Sequence, residues 1–153
     1  MDEHWIYRRG DLYLACLNPF KGSEQGGTRP VVVLSNNIGN RNSTTLIVAP
    51  LTTQPDTGYM PTHVHIRRAV YSKTEDSTIL LEQIRTIDKE RIEMYVGKLS
   101  REQMTEVETA LMISVGLLSR HIPEIWRTAV EQIRKRRHKR NQHKKEARDN
   151  DGS

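Results

Sequence analysis

Arg9-Gly10-Asp11-Leu12-Tyr13-Leu14-Ala15-Cys16-Leu17 runs into Asn18-Pro19-Phe20-Lys21-Gly22-Ser23-Glu24-Gln25-Gly26-Gly27-Thr28-Arg29-Pro30, then Val31-Val32-Val33-Leu34. This stretch decides the reading of the chain. An apolar, β-compatible run, a polar glycine-rich loop with a charged end, and a second β-branched run follow one another without slack. The pattern predicts two strands, about 12–17 and 31–34, joined by a loop. The second is apolar at every position, as in a strand buried on both faces. The loop sets Glu24, Gln25 and Arg29 beside a rigid sheet edge, an arrangement suited to a phosphodiester.

Outward from this pair, further short strands are expected at Leu46–Ala49, Thr62–Ile66, Ile79–Ile84 and Tyr95–Leu99. Pro50 ends the first of these, because it removes a ladder donor and marks an edge or bulge. Short strands separated by Gly, Pro and Asn turns argue for a small barrel rather than a sheet with helical crossovers. The segments 36–44 and 53–61 read as long loops, the second with a turn signal at Pro55-Asp56-Thr57-Gly58. Ser100-Arg101-Glu102-Gln103 is a capping box. Met104, Val107, Leu111, Val115 and Leu118 follow at helical spacing, so a helix packs on the barrel through that stripe. A second helix is expected from Pro123, with Ile125, Trp126, Val130 and Ile133 on one side. Beyond Arg134 the chain is too charged for a core, and after about residue 138 disorder or fraying is expected. The fold class expected is mainly β with helices (α+β), one domain over 1–122, followed by a basic extension over 123–153.

Composition narrows the function. The 153 residues suffice for one core. The net charge is +5, but residues 127–153 hold ten Lys/Arg against four Asp/Glu, so the remainder sums to −1. The body does not attract polyanions at long range; only the tail does. The single cysteine, Cys16, excludes an internal disulfide, and a reducing cytoplasm is the simplest location. No long apolar run spans a membrane, and Met1-Asp2-Glu3-His4-Trp5 has no apolar signal core.

No Cys, His or acidic spacing forms a metal cage. His63 and His65 share a strand face but lack further ligands, so no metal or cofactor is expected. Arg29, fixed by Pro30, suits a forked grip on phosphate, or a structural ion pair with Glu24. Thr52, at a strand end, offers a hydroxyl to a phosphoryl oxygen or starts a turn. Gln83 and Arg85 alternate with Leu81 and Ile84, facing a groove or solvent. Phe20 can stack on an unpaired base or anchor the loop.

Arg9-Gly10-Asp11, Gly22-Ser23-Glu24-Gln25, Arg29-Pro30 and Leu80-Leu81-Glu82-Gln83-Ile84-Arg85-Thr86-Ile87-Asp88 together resemble the MazF/PemK toxins of bacterial type II toxin–antitoxin pairs. The resemblance covers about residues 9–118 in ordered blocks. It implies a small Src-homology-3-like antiparallel barrel, with Arg29 and Thr52 as catalytic residues. Ser23, Glu24 and Gln25 look like substrate-contacting loop residues, with loop solvation the alternative, favoured for Ser23; Gln83 and Arg85 would contact substrate where they face the groove. It implies a metal-independent endoribonuclease that cuts single-stranded RNA at a short sequence, leaving a 2′,3′-cyclic phosphate and a 5′-hydroxyl. A homodimer and a MazE-like cognate antitoxin are implied as partners. Two alternatives remain: a gyrase-poisoning toxin of the CcdB kind, which shares the fold, and a non-enzymatic nucleic-acid-binding barrel driven by the tail.

Overall fold

The computed structural model describes residues 5–54, 60–67 and 75–118, with Glu131 and Lys135 as isolated helical positions. The expected second helix after Pro123, the turn at 55–58 and the basic tail lie outside the described residues, apart from those two positions.

The described chain forms seven strands: β1 (Asp11–Cys16), β2 (Thr28–Val33), β3 (Thr45–Thr52), β4 (His63–Ile66), β5 (Ser77–Leu80), β6 (Arg85–Asp88) and β7 (Ile92–Lys98). All pair antiparallel, in the order β4-β5-β3-β2-β1-β7, with β6 also on β3. This is the small α+β barrel expected. β1 and β2 fall where the opening stretch placed them, although β2 starts earlier and takes in Thr28, Arg29 and Pro30.

Successive side chains on these strands enter two different cores, as the twofold alternation of a pleated strand requires. Val32, Ala49, Leu51, Val64, Ile79 and Leu81 join one cluster. Tyr13, Val31, Val33, Leu46, Val48 and Ile87 join the other. Val31, Val32 and Val33 are all fully buried, so β2 is covered on both faces. Asp11 is buried with Tyr13, whose hydroxyl donates to Asp11 Oδ2 at 3.1 Å. Trp5 Nε1 donates in turn to that hydroxyl at 2.8 Å. Burial pushes the Tyr13 phenol far above its usual range, so it stays a neutral donor.

β3 organises the site. Val31↔Pro50 is the last pair of its ladder with β2. On its other edge Thr45–Val48 pair with β6, and Leu51 and Thr52 with β5. Pro50 therefore lies between two partners on one edge and at a ladder's end on the other, where a missing N–H costs least. The strand does not stop at Pro50, as the sequence suggested, but continues through it to Thr52.

Three further expectations are corrected. Ile79–Ile84 is not one strand: β5 ends at Leu80, Leu81–Gln83 form a 3-10 turn, and Arg85 opens β6. The ladders of β5 end at Ile79 with β3 and at Leu80 with β4, and all four β5 residues are buried, so burial alone does not separate the strand from the turn that follows. The 36–44 segment contains a short helix, α1 (Asn37–Asn42), capped by Asn36 Oδ1 accepting from Gly39 N at 2.8 Å. The main helix, α2 (Arg101–Ser114), carries the expected capping box but ends before the whole stripe is used. Val107 and Ala110 are buried, whereas Val115 and Leu118 lie past the helix end and are exposed. Gly116, at φ +79°, turns the chain there.

Candidate nucleic-acid cleft

The change of partner along β3 leaves a gap beside Pro50, and the 3-10 turn crosses it. A cleft of about 340 Å³ opens there, lined by Glu24, Gln25, Pro50, Glu82, Gln83, Ile84 and Arg85. The β1–β2 loop forms one wall, and the turn with the start of β6 forms the other.

Gln83 joins the two walls. Its Oε1 accepts from Gln25 N at 3.1 Å, and its Nε2 donates to Ser23 O at 3.1 Å. Gln83 and Arg85 thus belong to a turn and the strand after it, rather than alternating along one strand. Their convergence on the cleft comes from the turn's geometry. Arg85 Nη1 donates to Leu17 O at 3.1 Å, holding the end of β1.

Arg29 sits on β2 and is half-buried. Its Nε donates to Gly26 O at 2.7 Å and its Nη1 to Gln25 Oε1 at 2.6 Å. Two of the five guanidinium N–H groups are thereby engaged by the loop. Glu24, the alternative ionic partner considered for Arg29, instead accepts from Lys21 N at 2.8 Å through Oε2. The loop's base is closed by Leu17 N to Gly27 O at 2.9 Å and Gly27 N to Asn18 Oδ1 at 2.8 Å.

Neither Arg29 nor Thr52 is among the lining residues; Thr52 closes β3. Its Oγ1 accepts from Gln54 N at 3.2 Å, the turn-starting contact considered for it, which leaves the hydroxyl hydrogen to donate elsewhere. Continuing the Val31↔Pro50 register by two residues sets Thr52 across from Arg29 on strands that no longer pair there. Both side chains then share the faces of Val31 and Pro50 respectively. Phe20 is half-exposed on the loop and lies against Gly26.

Glu82 was not singled out from the sequence. Its carboxylate is fixed by His63 Nε2 on Oε1 at 2.8 Å and Thr62 Oγ1 on Oε2 at 3.0 Å. Gln25 and Arg29, too, are linked by contacts that no spacing shows. Among the described residues, no three His, Cys, Asp or Glu side chains gather at metal-binding distance, and no helix is long and apolar enough to cross a membrane.

A small two-core barrel with an arginine-, amide- and carboxylate-lined cleft at an opened strand junction defines the class. The sequence pattern of the PemK-like, MazF-like toxins of type II toxin–antitoxin systems matches residues 8–115, and the chain belongs to that family. The structure is similar to MazF from Deinococcus radiodurans, with TM-score 0.64 and 25% identity over 73% of this chain and 98% of that one. It is also similar to an endoribonuclease in complex with its cognate antitoxin from a Mycobacterial species. There the TM-score is 0.60 and the identity 26%, over 72% of this chain and 96% of the other. A MazE–MazF complex from Deinococcus radiodurans gives TM-score 0.59 and 25% identity over 73% and 97% of the two chains.

Proposed function

We propose that this toxin is an endoribonuclease that cuts single-stranded RNA at a short sequence without a metal ion. The observation that carries the reading is Arg29. Two of its N–H groups are held by the loop, one of them by Gln25, which lines the cleft, and the remaining N–H groups are the donors proposed for an oxyanion.

RNA carries its own nucleophile. The 2′-hydroxyl attacks the adjacent phosphorus and loses its proton. The bond to the 5′-oxygen breaks, and that oxygen gains a proton. The products are a 2′,3′-cyclic phosphate and a 5′-hydroxyl. Charge builds up on the phosphoryl oxygens in between, and pre-oriented donors there lower the barrier most. Arg29 supplies fixed positive charge in a planar fork. It is not the base, since a guanidinium carries N–H donors only and has no acceptor site for a proton. The Thr52 hydroxyl donates to a second phosphoryl oxygen. Of the lining groups, the carboxylates of Glu24 and Glu82 can accept the 2′-hydroxyl proton. Gln25, Gln83 and Ser23 contact the bases or sugars, and Arg85 adds charge to the same wall. The endoribonuclease named among the similar structures supports this reading.

The active form proposed is a homodimer. A cognate antitoxin of the MazE kind blocks the cleft, as the antitoxin-bound relatives suggest. The site of action proposed is the cytoplasm. Incubating purified protein with a long RNA in EDTA tests the reading. Discrete fragments support it. Intact RNA with inhibited gyrase would favour the CcdB-like alternative, and a salt-sensitive gel shift without cleavage would favour a binding module.

A further inference from the structure

Phe20 is the one phenylalanine of the chain, and it lies 53% exposed in the loop between β1 and β2. Exposure alone suggests a stacking platform. Its contact with Gly26 points to a different task. A Cβ placed on Gly26 would lie 2.0 Å from Phe20 Cδ1, 2.4 Å from Cγ and 2.6 Å from Cε1. The ring therefore fills the volume that any other residue at 26 would need, and it bears directly on the Gly26 backbone.

The carbonyl of that same Gly26 accepts from Arg29 Nε at 2.7 Å. Other ties brace the loop to either side: Lys21 N to Glu24 Oε2 at 2.8 Å, and Gly27 N to Asn18 Oδ1 at 2.8 Å. The ring is what presses on Gly26 itself. A guanidinium on a long, rotamer-rich stem is only as well placed as the acceptors that hold it.

We propose that Phe20 is a positioning residue for Arg29. Its ring, packed on Gly26, holds the carbonyl that fixes the Arg29 Nε, and so aims the remaining N–H groups. The catalytic consequence rests on Arg29 contacting the scissile phosphate, as argued above. The positioning itself does not. In this role the ring works through bulk over Gly26, whereas base stacking needs an aromatic face.

The test uses full-length Phe20→Ala, Phe20→Leu, Gly26→Ala and the Phe20→Ala/Gly26→Ala double variant. The first readout needs no catalysis: hydrogen exchange at Arg29 Nε–H, followed by 15N NMR. Exchange should be slow in the wild type and about tenfold or more faster in Phe20→Ala and Gly26→Ala. It should be largely restored in Phe20→Leu. The double variant should exchange more slowly than Gly26→Ala alone, because the clash with the ring is gone. The second readout is RNA cleavage, where Phe20→Ala should lower kcat about tenfold with KM within about twofold, and Phe20→Leu should recover most of the loss. Unchanged Nε–H exchange in Phe20→Ala would overturn the proposal. So would a Leu variant as impaired as Ala in cleavage while Nε–H exchange in both stays at the wild-type rate, the outcome expected of stacking. A wild type with a protected Arg29 Nε–H that cuts no RNA would leave the positioning intact and remove the ribonuclease reading.

Discussion

Gln83→Leu isolates the bond between the two walls of the cleft. The substitution roughly keeps side-chain volume and removes two hydrogen bonds, from Gln25 N and to Ser23 O, each 3.1 Å long. Neutral hydrogen bonds contribute about 0.5–1.5 kcal/mol each, and these sit at the long end of the range, so about 1–2 kcal/mol of loop order is lost. At about 1.4 kcal/mol per decade, kcat/KM for RNA cleavage should fall roughly 5- to 30-fold. Gln83 is not part of either buried cluster, so the melting temperature should drop by only a few degrees. Steady-state cleavage of a fluorescent RNA oligonucleotide, with a melting curve on the same sample, measures both. A kcat/KM within about twofold of wild type would show that the loop keeps its shape without Gln83. The coupling of the walls to Arg29 would then be wrong.

Thr52→Val should slow cleavage about a hundredfold, since it keeps shape and removes the hydroxyl proposed to donate to phosphate; an unchanged single-turnover rate would leave Thr52 only its turn contact with Gln54. Ser100→Ala breaks the capping box, in which Gln103 N donates to Ser100 Oγ at 3.1 Å and Ser100 N to Gln103 Oε1 at 2.8 Å. It should cost about 1 kcal/mol of stability, read as a lower urea midpoint, while cleavage at 25 °C is unaffected. Removing residues 134–153 should leave a folded, active enzyme with weaker binding to long RNA at low salt, the difference shrinking as salt rises. Equal affinity across a salt series would make the tail a solubilising extension only, and loss of folding would show that it packs on the barrel.

The parts of the fold that could be read in advance are those where one local rule dominates. Val31-Val32-Val33 has no polar position, so its burial on both faces follows from composition. Ser100 and Gln103 carry their capping geometry in their spacing. The expected strand over Ile79–Ile84 is broken because its apolar start, Ile79-Leu80-Leu81, is equally compatible with a strand and with a buried turn. Only β3's exchange of β6 for β5 decides between them, and that is a long-range fact. Pro50 had the right meaning, a missing donor, but the wrong consequence, because a ladder can end on both edges of a strand while the strand goes on.

The site shows the same division. Arg29, Gln25 and Gln83 were legible as polar groups beside apolar runs, yet the bonds linking them join residues as far apart as 25 and 83. Glu82 gave no local signal. It enters the cleft because the 3-10 turn presents it there and His63 and Thr62, from the start of another strand, hold it. Phe20's contact with Gly26 depends on the path of the loop, which composition does not specify.

The proposed ribonuclease function turns most directly on what Arg29 does to RNA. The decisive measurement is mapping of the 5′ and 3′ ends left on a long single-stranded RNA by wild-type and Arg29→Ala protein, both in EDTA. The wild type is predicted to leave 5′-hydroxyl and 2′,3′-cyclic phosphate ends at a restricted set of sequences. Arg29→Ala, with a normal melting curve, should cut at least about a hundredfold more slowly. Ends carrying 5′-phosphate, activity that returns only with a divalent ion, or an Arg29→Ala protein that cuts at the wild-type rate would contradict it.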